Sequence, residues 1–123
     1  MGLSPVVPRR LSLREEAVLR KILSRDFVGA VEFRAQVAFV RVVATWGVGS
    51  PSVDLAVSVG VRAADVADGL LPVEGEVRDE AGGFVGEILV WVTEGYLSAI
   101  EFTWVTDERP KVLPDPGAMR LKS

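Results

Sequence analysis

Two periods of apolar residues run along this chain, and the change from one to the other separates a helix from a series of strands. Val18, Leu19, Ile22 and Leu23 recur at helical spacing, while Arg14, Arg20, Lys21 and Arg25 take other positions. That pattern is one apolar stripe on an amphipathic helix. Ser12-Leu13-Arg14-Glu15 precedes it as a capping box. The Ser12 hydroxyl can accept from the Glu15 N–H, and the Glu15 carboxylate from the Ser12 N–H. These signals predict a helix over residues 13–25. Residues 26–36 read two ways: Gly29 interrupts them, yet Val31, Arg34 and Ala35 suit a short helix.

Beyond this point the period falls to two. Residues 37–46 are rich in Val, Phe and Trp and predict a strand. Gly47-Val48-Gly49-Ser50-Pro51 breaks it. Val53, Leu55, Val57 and Val59 then alternate with Ser52, Asp54, Ala56 and Ser58, as in a half-buried strand. Residues 62–71 suit one or two helical turns ending at Gly69. Residues 73–78 alternate Val or Gly with charge, as an edge strand would. After a turn at 79–83, two strands over 84–93 and 96–106 flank the loop Glu94-Gly95, a two-residue hairpin with positive φ at Gly95.

Together these elements predict an α+β domain: the N-terminal helix packed on an antiparallel meander sheet of four to five strands. Residues 1–10 read as a flexible lead-in, 11–109 as the single domain and 110–123, with Pro110, Pro114 and Pro116, as a Pro-rich irregular tail.

The last hairpin carries the functional expectation. Uninterrupted pairing from its loop sets Thr93 against Tyr96, Trp91 against Ser98, Leu89 against Ile100 and Glu87 against Phe102, with Trp104 further along that face. Val92, Val90 and Ile88 share the other face with Leu97, Ala99 and Glu101. Both faces are then apolar, and one helix covers only one. The other needs a second segment, another subunit or a partner. Trp91, Tyr96, Phe102 and Trp104 are the candidate anchors.

Charge sharpens the picture. The net charge is only −3, but its distribution is uneven. Residues 1–50 hold eight Lys/Arg against four Asp/Glu, residues 51–108 two against twelve, and residues 109–123 four against one. The middle block repels phosphates and attracts a basic protein. Asp79, Glu80, Glu87 and Glu94 are its candidate steering charges. Arg9, Arg10 and Arg14 are too few, and lack the interleaved aromatics, for a nucleic-acid site.

Candidate chemistry is thin. There is no Cys and no His, so disulfides, thiolate sites, the usual general base and the commonest metal ligand are missing. No catalytic, cofactor or metal-binding residue is assigned. The Gly47–Pro51 loop lacks the Gly-Lys-Ser/Thr ending of a phosphate cradle and reads as a plain turn. Asp54 reads as solvated, and Glu74, Glu76, Asp79 and Glu80 as a solvated edge and turn. No run of 18 apolar residues occurs, and residues 1–10 lack an apolar signal core. The expected location is cytoplasmic, away from membranes.

Four stretches together carry a resemblance: Leu-Ser-Arg-Asp-Phe-Val-Gly-Ala at 23–30, Arg-Ala-Gln at 34–36, Ser-Pro-Ser-Val-Asp-Leu at 50–55, and Gly-Glu-Ile-Leu-Val-Trp with Gly-Tyr-Leu-Ser-Ala-Ile-Glu from 86. Over residues 11–117 the chain resembles a group of small uncharacterised bacterial proteins, chiefly actinobacterial. The group often has Cys-Gly-Cys before the Val-Asp-Leu strand; Trp46, Val48 and Ser50 stand in that region here. By type, small acidic α+β proteins include immunity partners of toxins. The expected function is therefore a non-catalytic protein-binding module, of the immunity or inhibitor kind, taking a basic partner. The alternatives are a small-molecule-binding or carboxylate-dependent enzyme domain, and a homo-oligomeric structural module such as a homodimer.

Overall fold

A computed structural model describes residues 3–123. In chain order the elements are β1 (Ser4–Arg10), α1 (Leu13–Ile22), α2 (Ala30–Gln36), a 3₁₀ turn (Val37–Phe39), β2 (Val40–Thr45), β3 (Val53–Val57), β4 (Gly69–Leu70), β5 (Glu74–Arg78), β6 (Phe84–Thr93), β7 (Tyr96–Trp104), a 3₁₀ turn (Pro116–Ala118) and β8 (Met119–Lys122). The architecture is α+β with one antiparallel sheet. No helix among the described residues is long and apolar enough to cross a membrane.

The capping box forms as predicted. Ser12 Oγ accepts from the Glu15 N–H at 3.1 Å and Glu15 Oε1 from the Ser12 N–H at 2.8 Å. Arg9 grips the same carboxylate with two bonds of 2.8 and 2.9 Å. The stripe Val18, Leu19, Ile22 and Leu23 is buried. Ile22 lies over Gly75 of β5, where a Cβ would meet Ile22 Cδ1 at 3.4 Å and Met119 Cε at 2.5 Å. Thus Gly75 lets helix and sheet close on each other.

The sheet is larger than predicted and is not a simple meander. It has eight strands in the order β1-β2-β3-β7-β6-β5-β8, with β4 also on β6. Two meanders, β1–β3 and β5–β7, meet where β3 pairs β7. The predicted lead-in and irregular tail supply the two outer strands instead. Val6 packs against the core, and Leu113 and Met119 are buried in it, so apolar residues between and beyond the prolines draw both ends onto the sheet. β5 is accordingly flanked by β8 rather than lying at the edge. The turns predicted near residues 62–71 are not helical. Ala64 donates to the Gly95 carbonyl, Leu71 to that of Val90, and Gly69-Leu70 pair with β6. Backbone partners on the hairpin thus replace those a helix would offer.

α2 forms after Gly29, at φ 92°. Its Gln36, fully buried, donates to the carbonyls of Arg62 and Gly95 and accepts from the Leu97 N–H. One side chain therefore clasps the hairpin to the helix. At the hairpin tip Glu94 (φ 54°) and Gly95 (φ 82°) make the expected tight turn, with both central residues left-handed.

Two pairs past that turn, the register departs from expectation. Thr93 faces Tyr96 and Val92 faces Leu97 as expected, but Trp91 faces Ala99 in place of Ser98. Ser98 is extra, a β-bulge. Every later side chain changes face: Ile88 now pairs Phe102, Val90 pairs Ile100, and Leu89 pairs Glu101. The hairpin does not have two apolar faces. Its inner face, Ile88, Val90, Val92, Leu97, Ile100 and Phe102, joins the core with both helices.

Candidate functional site

The outer face of the sheet is left open. Along β6, Gly86, Ile88, Val90 and Val92 are buried while Glu87, Leu89 and Trp91 are half-buried; β5 repeats this with Gly75 and Val77 against Glu74 and Glu76. No helix joins the half-buried row in the apolar cluster. Register places Arg120, Glu76, Glu87 and Thr103 in one row across β8, β5, β6 and β7. Carboxylates thus occupy the middle strands and bases the margin.

Crowding shows in the protonation of these groups. Burial, then the neighbouring Glu74, pushes the Glu87 carboxyl above the usual range, against an opposing pull from Lys122. Glu76 goes the other way, held down by hydrogen bonding to Arg78 at 2.7 Å, with Lys122 at 3.4 Å. At the helix start, burial raises Glu15, but its bonds from Arg9 and Ser12 outweigh that and hold it low.

A cleft opens at one end of this face. β3 begins at Val53 and meets β7 only at Val53–Ile100 and Asp54–Ala99, whereas β7 runs on to Trp104. The last residues of β7 have no strand on that side. Ser52 Oγ substitutes for one by accepting the Phe102 N–H at 2.8 Å. The gap, about 310 Å³, is lined by Trp46, Ser50, Glu101, Thr103, Trp104 and Arg109, together with buried Ser52 and Phe102. Trp46 Nε1 donates to Asp54 and Trp91 Nε1 to Glu101, both at 2.9 Å. Each indole is oriented by a carboxylate of the acidic block.

The predicted partner-binding residues do not form one site. Trp91 and Glu87 lie on the open face, and Trp104 lines the cleft, 42% exposed. Phe102 is 3% exposed; the bulge turned it into the core, so it cannot anchor a partner. Glu94 and Tyr96 sit at the hairpin tip, where the Tyr96 hydroxyl donates to the Val61 carbonyl and the Glu94 N–H to Asp68. Asp79 and Glu80 belong to the turn at the other end of β6; Asp79 Oδ1 accepts from the Ala81 and Gly83 N–H groups. That turn borders a larger groove, about 640 Å³, lined by four acids, by Arg78 and Arg120, and by no aromatic. We take the smaller cleft as the better binding feature because aromatic residues and a carboxylate line it together.

Sequence reasoning missed Trp46, Glu101 and Arg109. Trp46 was legible as an aromatic just before a Gly-rich break, and Asp54, expected in solvent, is tied to it. Glu101 was hidden by the register. Among the described residues no three Asp or Glu side chains converge as a metal site. No family model matches the chain, and neither a curated protein nor a solved structure is significantly similar to it.

Proposed function

We propose that this chain is a non-catalytic protein-binding module, of the immunity or inhibitor type, that takes a basic protein on the open face of its sheet. The observation that carries the reading is that face itself: Leu89 and Trp91 half-buried beside Glu74, Glu76, Glu87 and Glu101. A desolvated aromatic at the middle supplies the anchor, and the surrounding carboxylates steer a positive surface toward it. Glu87 supports the reading further, because like charges already crowd it and an incoming cation would relieve them.

The test is affinity capture from a host lysate with the wild type and a Leu89→Asp/Trp91→Asp variant, each shown to be folded by circular dichroism. A basic protein held by the first and lost by the second is expected. Its retention should weaken as salt rises from about 0.1 M to about 1 M, since the Debye length shrinks from about 10 Å to about 3 Å. Identical captures by both chains would overturn the proposal.

A further inference from the structure

The cleft at the end of β3 and β7 has a charge arrangement that selects among ligands. Glu101 gives one oxygen to Trp91 Nε1 and makes no ion pair among the described residues. Arg109 lines the same cleft and could neutralise it, yet its Nη2 donates to the Val48 carbonyl at 2.9 Å. The base at hand is thus committed elsewhere. Trp46 and Trp104 line the cleft together with Glu101, and Trp104 leaves 42% of its area in water. A cleft lined by indoles and an unpaired carboxylate is suited to a flat cation, which stacks on a ring while bonding the acid in its own plane.

We infer that this cleft takes the guanidinium of an arginine side chain from the basic partner, stacked on indole surface with Glu101 as its counter-charge. The inference rests on the partner reading above and adds the chemistry of one anchor. Arginine is specified over lysine because only the guanidinium is planar and forked; an ammonium is a compact, strongly hydrated charge.

The test uses acetyl-arginine amide, titrated into the ¹⁵N-labelled chain while the three indole N–H signals are followed. Saturable shifts at Trp46 and Trp104, with a Kd of about 10 mM or tighter, are expected for one side chain. Acetyl-lysine amide should bind several-fold more weakly. Glu101→Gln, which keeps an acceptor for Trp91, should weaken binding about tenfold, in line with loss of a charge-assisted bond. Arg109→Gln should tighten it by removing a like charge. Trp104→Ala should abolish it with little change in melting temperature.

Three outcomes would overturn the assignment. Shifts no larger than those from acetyl-glutamine amide would mean that the charge is not read. Free arginine binding about tenfold tighter than the blocked amide would make this a small-molecule site. Weaker binding after Arg109→Gln would point to a ligand carboxylate. The two proposals fail separately. If the sheet-face variant loses a basic partner while the amide moves no indole, the cleft assignment falls alone. If the amide binds as expected but both chains capture the same proteins, the partner reading falls and the guanidinium site stands.

Discussion

The two faces of the sheet obey different rules. The covered face is uniformly apolar, and Ile88, Val90, Ile100 and Phe102 are all nearly inaccessible. The open face sets Leu89 and Trp91 among carboxylates, of which Glu76 is paired by Arg78 and Lys122 while Glu87 is crowded by its acidic neighbours. The first face answers to burial, the dominant favourable term in folding. Crowded like charges beside a half-buried indole answer to something else, because the crowding adds nothing to a monomer's stability. The difference teaches where to look for function: on the face whose composition folding does not explain.

Substitutions that treat the faces alike should therefore have unlike effects. Phe102→Ala empties a core site and should cost about 3–5 kcal/mol in urea unfolding, whereas Trp91→Ala on the open face should cost about 1–2 kcal/mol, its partly exposed area and one hydrogen bond. Equal losses would erase the distinction between the faces. Gly95→Val strikes the turn that holds them in register: at φ 82° a Cβ would run into the Ala64 carbonyl, so a loss of about 3 kcal/mol is expected from clash and backbone strain together. Ser12→Ala touches neither face and should cost about 1 kcal/mol, read as a lower thermal midpoint.

The smallest effect concerns protons. Glu87 holds its proton more tightly when folded than its ordinary value of 4.5 allows, so its contribution to stability is present at low pH and lost as pH rises through the folded value. Glu87→Gln should remove that loss, making the variant the more stable chain at neutral pH and no better at pH below the ordinary value. Glu15 has the opposite sign: its carboxyl is held low, so its contribution is lost as pH falls. A Glu87→Gln chain less stable than wild type at neutral pH would refute the crowding of the open face.

Local signals in the sequence were strong where a short motif decides geometry. The capping box, the helical stripe and the Glu94-Gly95 turn each depend on residues within a few positions of one another, and all appear in the structure. The bulge at Ser98 has no such signature: Tyr96-Leu97-Ser98-Ala99-Ile100 reads as a regular strand until Phe102 must find the core. Burial of Ile100 and Phe102 together outweighs the local cost of one irregular residue. That single slip hid Glu101, and with it the cleft. The outer strands were missed because prolines suggest irregularity, while their apolar residues respond to a sheet edge that only the folded chain provides.

Those outer strands have a consequence for how copies of the molecule behave in a crowded solution. A sheet margin offers unpaired N–H and C=O groups to any passing strand and is the usual seed of fibrils. Here one margin carries Pro5 and Pro8, which have no N–H to offer, and a register slip before Arg9. The other is only four residues long and holds Arg120 and Lys122. Two copies approaching margin to margin meet short, cationic or donor-poor strands, so concentrated protein should resist strand-paired aggregation.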